Sequence, residues 1–427
     1  MKKLSLRVEI ILWLSFLMVI AYFDRVNFSI AAPVIMKELG LGPAYLGMIM
    51  SGFGIGYMFL NYTGGFLAER FKPRTMLTAI IFLWSVFTLL TGVAWSFASL
   101  FIIRIVFGAA EGPMIPAFQM GINLWATPKE RGLASGLWLG ALPVGVVLGN
   151  TVSASIITAW GWKSVFYIYG IAGVIFAYLT WLIVRDSPAQ HPRISKEELE
   201  LIQSSIVKHD GAESVSAAGR TVGQLLSDPW VWVISISYFC VAFVFWVNLN
   251  WLPTYFVKVR GSSLLASGIF ASLPYIIAAF GAPVMGWLSD HIGKVRSYWL
   301  AIGFIIAAPF IAFAVITPSI DISLFCFAVS LFLIMGNIAL HYAVAMEIFN
   351  RADVARATGV MLGTGSISAV FAPSMVGFIV QSTGSFNGAY FICAGITFLG
   401  ALMALALAAR EKVRHRGASA TLDAVTA

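Results

Sequence analysis

Apolar residues run along this chain in stretches too long for the elements of a soluble core, separated by short polar breaks. A helix needs roughly 20 such residues to cross about 30 Å of hydrocarbon. Stretches that meet this length lie at about 8–36, 44–68, 75–97, 98–126, 132–160 and 164–184. After a long polar segment, six more lie at about 229–257, 264–289, 297–318, 322–348, 354–382 and 386–409. The pattern therefore predicts an all-α integral membrane protein with twelve transmembrane helices. The Lys-rich start resembles a signal peptide, but its apolar run is too long for one and lacks a small-residue cleavage site, so it is taken as the first span.

Composition agrees. At 59% hydrophobic and 11% charged, the chain departs from the roughly 45–50% and about 25% of soluble domains. A soluble enzyme, a nucleic-acid module and a secreted disulfide scaffold are excluded. Twelve of the charged residues crowd between Arg185 and Asp228, which leaves the rest of the chain poorer still in charge.

The net charge of +8 would suggest a nucleic-acid partner if the basic residues were clustered. Their distribution gives a topology instead. Of the 27 Lys and Arg residues, 21 lie in segments that share one side with the N-terminus. Only Lys37, Lys163, Lys258 and Arg260 lie on the other side, while Arg25 and Arg104 are left inside spans. The positive-inside bias predicts that both termini are cytoplasmic; the expected location is the cytoplasmic (inner) membrane of a bacterial cell. No nucleic acid is expected as a partner.

Several motifs lead elsewhere than they first suggest. Cys240, Cys326 and Cys393 lie singly in three spans, without metal spacing. The glycines of Gly52 to Gly56 lie inside a span with no preceding strand, so close helix packing is expected there and not a nucleotide loop. The same is expected of the pairs Gly136/Gly140 and Gly145/Gly149. No G-x-x-x-x-G-K-[S/T] phosphate loop is present, so ATP hydrolysis is not supported. Pro33, Pro113, Pro116, Pro143, Pro274 and Pro373 are expected to interrupt spans where helices bend.

The chain repeats itself. GFLAER at Gly65 to Arg70 follows the second span as GWLSDH at Gly286 to His291 follows the eighth, 221 positions later. ASGLWLG at Ala134 to Gly140 recurs as ATGVMLG at Ala357 to Gly363, 223 positions later. Two matches at almost one offset indicate a duplicated six-helix unit. The expected organisation is an N-terminal half at 1–185, a cytoplasmic linker at 186–228 with a short amphipathic helix, and a C-terminal half with its tail at 229–427.

Away from span ends, the charged residues inside spans are Asp24, Arg25, Arg104 and Glu111. Each costs about 2.5–3.5 kcal/mol at a helix centre on insertion scales, so they must face one another or a watery cavity. Arg104 and Glu111 are seven apart and share one face of the fourth span. Asp24 and Arg25 are adjacent and diverge by about 100°, so that one can line a cavity while the other pairs with a neighbouring helix. Asn27 and Ser29 extend that polar side. Either Asp24–Arg104 or Arg25–Glu111 could form an ion pair that only ties the first span to the fourth. The C-terminal half brings no intramembrane charge; Asn248, Asn250 and Asn337 are its candidates for hydroxyl recognition, and His341 is the one histidine within a span.

Parallel repeats of six spans are the plan of the major facilitator transporters, and GFLAERFKPR at Gly65 to Arg74 resembles their loop between spans two and three, G-x-L-a-D-r-x-G-r-r. Glu69 stands where Asp is usual and Lys72 where Gly is usual; the second copy, GWLSDHIGK, keeps Asp290 and Gly293. The resemblance implies that Glu69, Arg70, Asp290 and Arg131 serve a latch on the cytoplasmic side. YFDRVN at Tyr22 to Asn27 and GAAEGPMIP at Gly108 to Pro116 look like the anion:cation symporter branch, with its bacterial galactonate and other organic-acid carriers and its sialate carriers. The resemblance implies that Arg25 receives a substrate carboxylate, that Glu111 couples to protons with Asp24 also involved, and that Arg104 holds the charge of Glu111. It also implies that Tyr57 reaches the substrate. His341 is a further candidate for proton handling, and Asn27, Asn248 and Asn337 for substrate binding.

The function expected is a proton-coupled symporter, not an enzyme, that imports a small organic anion by alternating access. A sugar acid such as an aldonate or uronate, or another carboxylate, is the expected cargo. No cofactor is expected beyond the proton as coupling ion, the partners are the substrate and the bilayer, and a monomer is the expected functional unit. The alternatives are a proton-coupled exporter and a sensor that binds without translocating. Drug exporters usually carry G-x-x-x-G-P-x-x-G-G in the fifth span, whereas Gly149 here is followed by Asn150 and Thr151. The basic-residue bias generates a direct prediction: a reporter fused after Ala427 should be active as a cytoplasmic enzyme, and activity confined to the periplasm would reverse the topology.

Overall fold

The computed structural model describes residues 5–213, 219–293 and 295–426. Among them there are no strands, and twelve helices are long and apolar enough to cross a membrane. The first six are Leu6–Leu39, Pro43–Arg70, Pro73–Gly92, Phe97–Trp125, Arg131–Trp160 and Trp162–Ile183. The others are Pro229–Lys258, Leu264–His291, Arg296–Ile316, Ile320–Ile348, Val354–Thr383 and Asn387–Thr426. Each coincides with a predicted stretch to within a few residues, except that the last runs on to Thr426, since nothing from Arg410 to Arg416 breaks a helix. The polar segment holds a short 3-10 turn at Pro188–Gln190 and helices at Lys196–Glu213 and Val222–Leu226.

Two spans are broken. The fourth consists of helices Phe97–Glu111 and Met114–Trp125, the eighth of Leu264–Ala278 and Gly281–His291. Of the prolines expected to interrupt spans, Pro113 alone stands at a break, where it supplies no N–H and starts the second half of the fourth span. Pro33, Pro143 and Pro373 lie inside continuous helices, and Pro116 and Pro274 inside half-helices. A proline removes one hydrogen bond, and local adjustment absorbs that loss without ending the helix.

The chain divides into two compact units: Met1–Ser216 with Phe256–Ser272, and Ala217–Tyr255 with Leu273–Ala427. In the first, the first span packs on the fifth, the second on the fourth and the third on the sixth. In the second unit the eighth packs on the tenth and the ninth on the twelfth. The seventh meets the eleventh where Trp251 Nε1 donates to the Pro373 carbonyl at 3.1 Å and where Tyr238 lies against Gly365. All three pairings of the first unit thus recur six spans later, so the repetition read in two motifs extends to the packing.

The helix ends repeat as well. Asp186, after the sixth span, accepts from the Arg74 amide at the start of the third at 3.1 Å. Glu411, just past the apolar stretch of the twelfth, accepts from the Arg296 and Ser297 amides at the start of the ninth at 2.7 and 3.0 Å. A carboxylate at a helix N-terminus satisfies orphan amides and meets the positive end of the helix dipole. Glu198 of the polar segment does the same for the first span, taking the Leu6 and Arg7 amides at 3.2 and 2.9 Å. Asp353 receives the Arg220 amide at 2.7 Å and its Nε at 2.8 Å, and these bonds hold its carboxyl below the usual carboxylate range. A carboxyl lowered in this way keeps its stabilising charge at neutral pH and loses it only as the pH falls through that lowered value.

The second and fourth spans touch backbone to backbone. A Cβ on Gly108 would lie 2.0 Å from the Phe53 carbonyl oxygen, and one on Gly56 would lie 1.8 Å from that of Ile105. Small residues admit this approach. The expectation of close packing also holds at Gly145 and Gly149, which lie against the first span, but not at Gly136 and Gly140, which meet nothing within 4 Å. Nine residues separate Gly136 from Gly145 and Gly140 from Gly149, which puts the two pairs about 180° apart on one helix. Gly108→Ala should therefore cost about 1–3 kcal/mol by overpacking, read as a lowered Tm of the purified protein, whereas Gly136→Ala should leave Tm unchanged.

Candidate functional site

The close crossing of the second and fourth spans sets Phe53 and Tyr57 beside Arg104 and Glu111, and the first span completes the cluster. Arg25 donates from Nε to Glu111 Oε2 at 2.6 Å and from Nη1 to the Tyr22 hydroxyl at 3.2 Å. Its guanidinium carbon lies 4.9, 5.4 and 5.1 Å from the ring centres of Tyr22, Phe53 and Tyr57. Phe53 and Tyr57 are stacked, one helical turn apart. Glu111 is wholly buried and Arg25 is 7% exposed. Glu111 is the last residue before the helix break made with Pro113.

Of the two pairings open from the sequence, the structure contains Arg25–Glu111. Asp24 turns instead toward the third span, where Thr88 Oγ1 donates to its Oδ1 at 3.1 Å, with the Asn27 amide at 3.5 Å. Arg104 makes no ion pair with Glu111 within 4 Å. Seven residues correspond to two turns, or about 10.5 Å of rise, so the two side chains share a face without reaching each other. The Arg104 guanidinium is packed among Phe28, Phe53 and Phe107, at 4.8, 5.3 and 4.8 Å from their ring centres. Such packing offers a cation the negative faces of the rings. Phe53 thus lies between two guanidiniums.

Part of this polar set has no partner among the described residues: Arg25 Nη2, Glu111 Oε1, Asp24 Oδ2, Arg104 Nε and Asn27 Oδ1. Four buried charged groups with unused hydrogen-bonding capacity are costly in a membrane-spanning bundle. Chemically, the set can exchange one carboxylate for another on Arg25 and can hold protons on two acids.

In the second unit the candidates bond mainly to backbone carbonyls, while Asn248 Oδ1 and Asn337 Oδ1 have no partner among the described residues. Asn248 and Asn250 donate to the Val244 and Trp246 carbonyls one turn back at 2.9 and 2.8 Å, and Asn337 to Leu300 of the ninth span at 3.1 Å. His341 sets Nδ1 on the Asn337 carbonyl at 2.6 Å and Nε2 on Ser237 Oγ at 2.9 Å. A carbonyl only accepts, so Nδ1 carries the proton, and both ring nitrogens are engaged. Toward the ends of the spans, Asp290 pairs with Arg296 at 3.0 Å, Arg131 donates to the Asn123 carbonyl at 3.4 Å and Arg70 is exposed. The Glu69 side chain lies outside the described residues.

Sequence reasoning did not single out Thr88, Phe28, Phe53 or Phe107 as site residues. Thr88 had a signal: Ser85, Thr88 and Thr91 form a polar stripe at a spacing of three along the third span, and all are buried. The phenylalanines had none, because an apolar span shows the same residue type on every side.

The Major Facilitator Superfamily profile matches residues 14–342. The chain is 29% identical to a probable sulfoacetate transporter of Cupriavidus necator, covering 90% of both chains. It is 27% identical to a hexuronate transporter of Bacillus subtilis, covering 93% of both. It is 29% identical to a probable galactarate/D-glucarate transporter of Escherichia coli, covering 95% of this chain and 94% of that one. Its fold is similar to that of a bacterial homolog to the human lysosomal transporter Spinster in an inward-facing and occupied conformation. There the TM-score is 0.74 at 19% identity, covering 97% of this chain and 98% of that one. The duplicated six-helix packing and the profile match lead to one conclusion: this chain is a multi-pass membrane transporter, and it belongs to the Major Facilitator Superfamily.

Proposed function

We propose that the chain is a proton-coupled symporter that imports a small organic anion, such as a sugar acid or another small carboxylate, by alternating access. The observation that carries this is the Arg25–Glu111 pair at 2.6 Å, with Arg25 Nη2 and Glu111 Oε1 both left without a partner among the described residues. The curated relatives support the cargo class, since hexuronate, glucarate, galactarate and sulfoacetate each carry a carboxylate.

The mechanism follows from competition for one guanidinium. A substrate carboxylate gripping Arg25 through two parallel hydrogen bonds displaces Glu111 from Nε, because the planar fork offers that edge once. The freed Glu111 is then a buried anion without its counter-charge, a state whose cost is removed by taking up a proton. Substrate and proton therefore load together, and a proton gradient drives uptake. Asp24, bonded to Thr88, is the second acid available for proton traffic. Arg104, in its aromatic packing, keeps positive charge near both acids. The asparagines of the second unit serve shape and hydroxyl recognition. The 21 basic residues on one side orient this cycle, with both termini cytoplasmic.

Two variants test the scheme in proteoliposomes. Arg25→Lys keeps the charge but loses the fork, so carboxylate binding should weaken by about 10- to 100-fold, the worth of a charged hydrogen bond. A wild-type affinity would remove Arg25 from the site. Glu111→Gln imitates the protonated acid, so it should retain counterflow of substrate but lose accumulation driven by an acid exterior. Equal loss of both activities would make Glu111 structural or directly substrate-binding, and retention of both would move the proton to another acid.

A further inference from the structure

Apart from the buried charge cluster, the second unit holds a basic pocket that the transport scheme does not use. It lies where the seventh span begins, the tenth ends and the twelfth helix passes from its apolar into its charged stretch, and has a volume of about 390 Å³. Three arginines line it: Arg220, Arg410 and Arg414. Arg220 is paired with two acids, with Nη1 on Asp228 and Nε on Asp353, both at 2.8 Å. Arg414 is anchored through the Ile348 carbonyl and through Asn350 Oδ1, at 3.1 Å from the latter. Neither contact is with an acid. Arg410 is exposed, and its guanidinium lies 5.6 Å from the Trp230 ring centre. Among the described residues no carboxylate lies within 4 Å of Arg410 or Arg414. The one acid lining the pocket is spent on Arg220, so two positive charges face the cavity without compensation.

The surroundings are apolar. Ile348, Phe349 and Trp230 complete the wall, and Val413, also in the lining, is 63% exposed. Beside the pocket, Val222 and Leu226 of the short helix before the seventh span are 51% and 42% exposed. Trp232 is 43% exposed and donates its indole N–H to the Leu226 carbonyl at 2.8 Å. Arginines without acids, tryptophans and exposed aliphatic side chains at the ends of membrane spans match the layered chemistry of a lipid: phosphate, glycerol, acyl chain. A free anion would use the arginines and leave the aliphatic rim idle.

We propose that this pocket binds the phosphodiester headgroup of an anionic phospholipid, with Arg410 and Arg414 on the phosphate and the Trp230–Val413 wall along the start of the acyl chains. Phosphate is the shared chemistry of a lipid headgroup and a dissolved ion, and the test separates them. Full-length protein in neutral detergent is titrated with phosphatidylglycerol, phosphatidylcholine or inorganic phosphate, with Tm as the readout and retained lipid read by native mass spectrometry. Phosphatidylglycerol should raise Tm and remain bound, while the other two should not. Among the described residues Arg410 makes no hydrogen bond or ion pair, so Arg410→Gln should fold and require about fivefold more phosphatidylglycerol for half its effect, the worth of one basic residue at an anionic surface. Lys412→Gln, whose ammonium lies over Tyr298 at 4.8 Å and outside the pocket, should titrate as wild type. An equal response to phosphatidylcholine, an equal response to inorganic phosphate, an unshifted Arg410→Gln titration or an equal shift in Lys412→Gln would each overturn the assignment.

Discussion

The constraint on which the first unit depends is an ion pair taken out of water. Arg25 and Glu111 sit 2.6 Å apart on different spans, nearly or wholly buried. Removing one partner of such a pair leaves a charge that costs about 3–5 kcal/mol, whereas replacing both can be neutral. A pair kept at that cost within apolar helices needs a surrounding that holds it in register. The backbone contact of the second and fourth spans at Gly56 and Gly108 supplies part of this, since it brings Phe53 and Tyr57 against the guanidinium. The break at Pro113 supplies another part by ending the helix at Glu111.

Duplication shaped the scaffold without duplicating this chemistry. The packing of the second span on the fourth recurs as the eighth on the tenth, and the capping of the third span by Asp186 recurs as that of the ninth by Glu411. Yet the tenth span carries no charged residue away from its ends; its buried polar residues include Asn337 and His341, which are four apart and do not stand at the repeat positions of Arg104 and Glu111. Asn337 donates to the Leu300 carbonyl and His341 engages a helix carbonyl and Ser237, while Asn337 Oδ1 has no partner among the described residues. One unit therefore holds carboxylates and guanidiniums buried within its spans, while the candidate residues of its repeat are asparagines and a histidine. The proposed carrier of an anion with a proton needs titratable charge in one place only, which fits this division.

The sequence by itself determined the twelve spans, because hydropathy over about 20 residues is a local property that lipid makes decisive. It also determined the six-helix repeat, and it isolated Asp24, Arg25, Arg104 and Glu111 as the charged residues within spans, because any charge stands out against such a background. What it left open was which acid meets which base. Arg25 and Glu111 are 86 positions apart, and two acids with two bases allow more than one pairing. Tertiary structure decided for Arg25–Glu111, gave Asp24 to Thr88 and packed Arg104 among three phenylalanines. It also decided which glycines meet a neighbour: Gly136 and Gly145 look alike in sequence but lie on opposite faces of one helix. Partner choice and face choice depend on helix rotation and crossing, which are set by the whole bundle and written in no single segment.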